Sequence, residues 1–306
     1  MAAPARTLFF GSGSVALPAL SRLFGSDLIT LDSVVTAPPR PAGRKGRLTP
    51  TPVADLAAEH DLPIRTPTTL RDDTVLEELR ATQVELIVLA DYGRIIPAAV
   101  LTIPAHGALN IHPSLLPRHR GAAPVVGAIL AGDAVTGVTV MRMDEGLDTG
   151  PIVAQAEVPL EGTEVTPELE SRLAELGADL LLEYLPAWLD GSLPARPQAV
   201  EGATLTRLLR REDGRLDAGR SATELERQVR AYQPWPGSFL EHDGVRLKVW
   251  AASVLGQPVA VEPGEIILTE GTLGLGTAHG VLRLDEVQPA GTRRMSGAEY
   301  RRGKRL

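Results

Sequence analysis

Over the first two thirds of the chain, short apolar runs alternate with segments whose apolar residues recur at helical spacing. Runs at 8–10, 29–35, 84–90, 109–111 and 138–143 read as strands, and the patterns at 17–24, 53–59, 75–80 and 123–130 read as helices. Such alternation predicts a mostly parallel sheet built from β–α–β crossovers and covered by helices on both faces. A longer amphipathic helix is expected at 167–189, with Leu169, Leu173, Leu176, Leu180 and Tyr184 on one stripe, and it closes a first domain over 1–190. Residues 191–209, rich in Pro, Gly and Ala, read as a linker.

The pattern changes from residue 210. Ser221 and Glu224 have capping-box spacing at the head of a helix over 222–231. Short alternating runs follow at 245–250, 265–268, 273–276 and 281–284, separated by Asp243-Gly244, Glu270-Gly271 and His279-Gly280. These are hairpin signals. The expected fold class is therefore α/β, a Rossmann-like mostly parallel sheet with helices on both faces, plus a small C-terminal β-barrel, OB-like, over 210–306.

A chain of 306 residues can bury two such cores without covalent staples. With no cysteine, disulfides, thiolate nucleophiles and Cys-ligated zinc are excluded, and the six histidines show no paired ligand spacing, so no metal is expected. No run of about 18 apolar residues occurs, and residues 1–10 lack the apolar stretch of a signal peptide. A cytoplasmic protein without a membrane partner is expected, and nothing in the pattern calls for an oligomer. The net charge of −7 is unevenly placed: residues 1–200 carry 15 basic and 24 acidic side chains, residues 201–306 carry 16 and 14. The basic tail ending in Arg301-Arg302-Gly303-Lys304-Arg305 reads as a solvated terminus.

The densest chemistry lies at Leu109-Asn110-Ile111-His112-Pro113-Ser114-Leu115-Leu116-Pro117. Strand alternation sends Asn110 and His112 to one side and Leu109 and Ile111 to the other, and the prolines stop the strand just beyond. An amide and an imidazole are thus offered at a strand's carboxyl end, where ligands bind in open α/β sheets. A strand end whose polar residues merely face water has the same spacing. Asp148-Thr149-Gly150 spells the aspartic-protease triplet, but no second copy exists to share its proton. Gly11-Ser12-Gly13-Ser14-Val15-Ala16 imitates a dinucleotide turn, yet Asp32 falls within a strand run rather than at its end.

Asn110-x-His112, the Ser114–Pro117 turn and Asp148 in the glycine-rich stretch Met143-Asp144-Glu145-Gly146-Leu147-Asp148-Thr149-Gly150 together resemble the active-site motifs of the folate-dependent formyltransferases. Arg120-Gly121-Ala122-Ala123-Pro124, Tyr232-Gln233-Pro234-Trp235-Pro236, Lys248-Val249-Trp250 and Gln288-Pro289-Ala290-Gly291 extend the likeness to the branch that formylates methionyl-tRNA, over nearly the whole chain. The resemblance implies an enzyme that passes the formyl group of 10-formyltetrahydrofolate, without metal, to the α-amino group of initiator methionyl-tRNA. Its implied catalytic residues are Asn110, His112 and Asp148. The implied folate contacts are Tyr92, Gly93, Ile95 and Ile96 in one loop and Ser114, Leu115, Leu116 and Pro117 in the other. The loop carrying Arg40, Arg44, Lys45 and Arg47 is the implied tRNA contact, and phosphates suit its uncompensated charge. The family's glycine turn usually reads Gly-Thr-Pro-x-Phe-Ala, from which this chain departs at Ser12, Gly13 and Val15. The alternatives are a formyltransferase acting on a nucleotide or sugar amine, and an RNA-binding module that has kept an inactive formyltransferase fold.

Overall fold

The computed structural model describes residues 3–43, 46–256, 261–269 and 271–304. Its chain divides into two compact units, one of residues 1–124, 135–159 and 170–206, the other of residues 125–134, 160–169 and 207–306.

In the first unit the strands are β1 (Ala5–Phe10), β2 (Ile29–Val35), β3 (Arg40–Ala42), β4 (Arg47–Thr49), β5 (Ile64–Arg65), β6 (Leu86–Leu89), β7 (Ala108–His112), β8 (Arg120–Gly121), β9 (Val135–Arg142), β10 (Ile152–Pro159) and β11 (Leu205–Thr206). Seven of them form one sheet in the order β10-β9-β7-β6-β1-β2-β5. The pairs from β5 to β7 are parallel; β9 and β10 join antiparallel at the edge. Leu8, Phe9 and Phe10 on β1 and Leu86, Ile87 and Val88 on β6 are fully buried, as central strands covered on both faces must be. Each such side chain contributes roughly 1.5–3 kcal/mol of apolar burial.

The connections are α1 (Leu17–Phe24), α2 (Pro52–Glu59), α3 (Asp73–Ala81), α4 (Ala98–Leu101), α5 (Pro124–Ala131) and α6 (Thr166–Leu189). Thr51 and Asp72 cap α2 and α3 through their side chains. After β1 the chain goes outward to β2 and later returns to β6 on the other side of β1. This reversal opens a crevice at the carboxyl ends of β1 and β6, the place where such sheets take ligands.

Of residues 191–209, expected to be a linker, 191–206 belong to the first unit and 207–209 to the second. Arg196 exchanges two backbone hydrogen bonds with Ile152, both 2.7 Å, and β11 pairs in parallel with β8.

The second unit adds α7 (Ala222–Ala231), β12 (Ser238–His242), β13 (Val245–Val254), β14 (Ile266–Thr269), β15 (Thr272–Gly276), β16 (Val281–Pro289), β17 (Met295–Ser296) and α8 (Gly297–Lys304). Its antiparallel sheet runs β12-β13-β16-β15-β14, with β17 on β16; among the described residues β12 and β14 are its unpaired ends, so it is a curled sheet rather than a closed barrel. The capping box of α7 forms as its spacing predicts, Ser221 Oγ accepting from Glu224 N and Glu224 from Ser221 N. Those bonds hold the Glu224 carboxylate down at about 2. The basic tail is not a loose terminus over its described part: α8 buries Tyr300 in the core with Leu225, Leu275 and Leu284.

Candidate active site

All five residues of β7 are buried, and its pairing to β6 and β9 fixes which side its polar residues face. His112 lies 4% exposed at its carboxyl end. Its Nε2 is 3.0 Å from the His119 carbonyl oxygen. Since a carbonyl only accepts, Nε2 carries the proton and the Nδ1 lone pair is free. Burial pushes the imidazole below the ordinary histidine range, against the opposing pull of Asp148 and the His119 carbonyl. A neutral ring with a basic Nδ1 is the result.

Asp148 Oδ2 lies 3.7 Å from that Nδ1. This is too long for a direct hydrogen bond, so the His119 carbonyl fixes the ring and Asp148 supplies charge beside it. The carboxylate is held instead by the backbone N–H of Gly121 at 2.7 Å. Gly121 adopts φ +105°, and a side chain there would collide with the Thr206 carbonyl. Only glycine lets β8 come that close to β11. Asp148 itself stands at φ +52°, a conformation an aspartate tolerates better than most residues at a modest cost.

Gln198 secures the same loop. Its Nε2 donates to the carbonyls of Asp148 at 2.8 Å and Gly150 at 2.7 Å, while its Oε1 accepts from Arg120. Asp144 shapes the loop from within, accepting from Gly146 N and Thr149 Oγ1. Sequence reasoning passed over Gln198, His119 and Gly121. Arg120-Gly121 was at least visible as part of a motif; nothing local marks Gln198.

Asn110 is buried, and among the described residues its side-chain amide has no protein partner. The residue keeps 6% of its surface exposed. Buried amides are normally satisfied internally, so an unpartnered one on the face of β7 that carries His112 is able to donate to a ligand.

The two expected folate loops separate into supporting and presenting residues. Tyr92 and Ile96 are buried in the core with Phe10 and Leu89, and Tyr92 meets the Phe10 ring edge-on at 5.3 Å. Ser114 is fully buried, and its hydroxyl is spent on the Arg118 carbonyl. Leu116 packs with Met141 and Ile152, its N–H held by Thr139 Oγ1. The side chains of these four are committed within the turns. Ile95 is 80% exposed, Gly93 is exposed, and Leu115 and Pro117 are partly exposed. A cavity of about 280 Å³ lined by Val35, Arg65, Pro67 and Leu79 lies elsewhere and includes none of the trio.

At the β1–β6 crevice, Ser12 joins three strand ends: its hydroxyl donates to the Tyr92 carbonyl and accepts from Ala37 N, both 3.2 Å. Asp91 lies against this turn, its backbone carbonyl accepting from Ser12 N and Gly13 N. Its carboxyl keeps a solvent-facing edge, yet lost hydration raises it from 3.8 to about 6. The expected basic loop is an antiparallel hairpin, β3 with β4, on which Arg40 and Arg47 are exposed. Arg44 and Lys45 lie outside the described residues.

The sequence matches the formyl transferase family over residues 5–185 and that family's C-terminal domain over residues 208–305. The chain belongs to the formyl transferase family. A methionyl-tRNA formyltransferase of Chloroflexus aggregans is 48% identical to this formyl transferase over 300 residues, covering 97% of both chains. One from Thermus thermophilus is 46% identical over 300 residues, covering 97% of this chain and 96% of its own. Among solved structures, the formyl transferase shares its fold with WlaRD, a sugar 3N-formyl transferase, at a TM-score of 0.67 and 15% identity over 96% of this chain and 100% of that one. HypX from Aquifex aeolicus, solved with tetrahydrofolic acid, superposes at a TM-score of 0.63 and 19% identity over 98% of this chain and 47% of its own. Among the described residues no helix is long and apolar enough to cross a membrane.

Proposed function

We propose that this formyl transferase moves the formyl group of 10-formyltetrahydrofolate to the α-amino group of methionyl initiator tRNA, with Asn110, His112 and Asp148 as its catalytic residues. The carrying observation is the convergence at one strand end of an unpartnered amide, a neutral imidazole with a free Nδ1, and a carboxylate 3.7 Å from it. The near full-length identity to methionyl-tRNA formyltransferases supports the choice of acceptor.

The amine nitrogen attacks the formyl carbon, whose oxygen becomes negative in the tetrahedral intermediate. Asn110 donates to that oxygen, a preorganised contact that strengthens as charge develops. The attacking nitrogen must lose a proton, and His112 Nδ1 takes it; Asp148 then faces an imidazolium and stabilises it. The carbon–N10 bond breaks as His112 returns that proton to N10, so the products are the formylated amine and tetrahydrofolate. Gly93, Ile95, Leu115 and Pro117 are the surfaces for the folate, backed by Tyr92, Ile96, Ser114 and Leu116. The basic segment of Arg40, Arg44, Lys45 and Arg47 contacts the acceptor end, and the second unit, built mainly of residues 207–306, holds the body of the tRNA.

The deciding experiment incubates the full chain with 10-formyltetrahydrofolate and methionine-charged initiator tRNA, with glycinamide ribonucleotide and an amino-sugar nucleotide as competing acceptors. Formylmethionyl-tRNA is the expected product. Formylation of a competing acceptor alone rejects the reading.

A further inference from the structure

The successive peptide units from Arg118 to Gly121 are each held at both poles. In the unit joining Arg118 to His119, the carbonyl accepts from Ser114 Oγ at 2.7 Å and the N–H donates to Thr204 Oγ1 at 2.8 Å. In the next, the His119 carbonyl accepts from His112 Nε2 at 3.0 Å and Arg120 N donates to the Thr204 carbonyl at 3.0 Å. In the last, the Arg120 carbonyl accepts from Thr206 Oγ1 at 3.0 Å and Gly121 N donates to Asp148 Oδ2 at 2.7 Å. His112 and Asp148 are thus held by consecutive peptides whose opposite poles are fixed by Thr204 and Thr206.

His119 stands at φ +56°, a left-handed conformation that a residue other than glycine keeps only where the bonds around it over-determine it. Thr204 supplies bonds on both sides of it, from its hydroxyl to His119 N and from its carbonyl to Arg120 N. If this stretch turned, the His119 carbonyl would leave His112 Nε2. That carbonyl keeps the proton on Nε2, because the tautomer of a neutral imidazole follows the partners of its ring nitrogens. Without it the proton can move to Nδ1, on the side of the Asp148 carboxylate. The nitrogen that must take the amine proton is then already occupied.

We infer that Thr204 is a positioning residue that selects the His112 tautomer through the His119 peptide; the inference rests on the role of His112 proposed above. Thr204 is exposed, so replacing its side chain removes a hydrogen bond without emptying a core. Thr206 provides the contrast. Its hydroxyl holds the peptide that carries Asp148 and leaves the N–H of His119 alone.

The test reads the histidine ring nitrogens by NMR in the full, isotope-labelled chain, at a pH where His112 is neutral, and measures turnover with methionyl-tRNA and 10-formyltetrahydrofolate alongside. Wild type should carry the proton on Nε2. Thr204→Val should show a mixed or reversed tautomer and a kcat lower by roughly 10–100-fold, while KM for the folate and the melting temperature hold. Thr204→Ser, which restores the hydroxyl, should recover both the tautomer and kcat, and Thr206→Val should keep the wild-type tautomer. Thr204→Ala is read in the same way as Thr204→Val, so the outcome does not hang on one variant folding. An unchanged tautomer in the Val and Ala variants overturns the inference whatever their turnover, as does a Ser variant that behaves like them or a Thr206→Val ring that shifts as theirs does. A reversed tautomer with full turnover rejects the role of His112 as well. Because the tautomer is read without an acceptor, a wild-type chain that fails to formylate methionyl-tRNA rejects the proposed acceptor and leaves the assignment of Thr204 to the ring measurement.

Discussion

The Asp91 carboxylate occupies the space that a β-carbon on Gly13 would need. The glycine that departs from the usual turn of this family therefore has a local reason, because any side chain there meets the carboxylate. The two residues should be energetically coupled. Gly13→Ala should push the Asp91 carboxylate aside at a small cost in the wild type and be neutral in an Asp91→Ala background, with a coupling of about 0.5 kcal/mol in a double-mutant cycle. Additive effects on chemical denaturation would reject the coupling.

The same carboxyl predicts a pH dependence. Asp91 titrates at about 6 in the folded protein against 3.8 ordinarily, so between those values the folded state holds a proton the unfolded state has lost. Wild-type stability should fall as pH rises from about 4 to 6 on this account and level off above. Asp91→Asn removes that dependence, so its melting-temperature advantage over wild type should grow across the window and then stay constant. An advantage that is flat from pH 4 to 8 refutes the assignment.

In the catalytic trio, Asn110→Ala should lower kcat roughly 10²–10³-fold while folate affinity changes little, as expected when one oxyanion donor is lost. In the proposed mechanism His112 acts through a neutral Nδ1, and burial pulls its titration below the ordinary value of 6.5. The acid limb of kcat/KM should accordingly lie below pH 6.5, with activity persisting at a pH where an exposed histidine would already be charged. An acid limb at or above 6.5, or a His112→Ala enzyme with near wild-type turnover, contradicts the mechanism.

Gln198 touches no reacting atom and acts as a positioning residue for Asp148. Gln198→Glu keeps the acceptor for Arg120 but loses both donors to the Asp148 and Gly150 carbonyls. Turnover should drop about tenfold or more, KM for folate should hold, and the pH profile should shift with the altered carboxylate. Unchanged turnover and pH profile would show that the loop stands without it.

Arg40 and Arg47 offer a separate check on the acceptor end. Their double replacement by Ala should raise KM for tRNA and flatten its salt dependence by about 0.7–0.9 of a log–log unit per lost phosphate contact. Equal KM values at 50 and 200 mM salt for wild type and variant would make the hairpin plain solvated surface.

The buried parallel strands were legible because their apolar runs are dense: 8–10, 29–35 and 109–111 all fall on observed strands. The edge strand β10 was not, since Ile152–Pro159 mixes Gln155, Glu157 and three alanine or proline residues without a clean period. The hairpin of β3 and β4 hides in a Pro/Gly-rich stretch, and α8 has Tyr300 as its one large apolar anchor. Asn110, His112 and Asp148 could be read as a set only through motif resemblance, because 35 or more residues separate the strand end from the loop. His119 and Gly121 act through their own backbone groups and Gln198 through a side-chain amide that grips backbone carbonyls, where spacing along the chain carries no mark of what the folded chain brings together.

The pairing of β11 with β8 bears on how this enzyme could be recombined. A composition-based cut near residue 190 would discard Gln198, which holds the Asp148 loop, and Thr206, whose hydroxyl accepts from Ala123 N and donates to the Arg120 carbonyl. A chimera that exchanges the C-terminal domain of one relative for another must therefore be spliced after Thr206. Spliced earlier, it would inherit its partner's support for the Asp148 loop along with that domain.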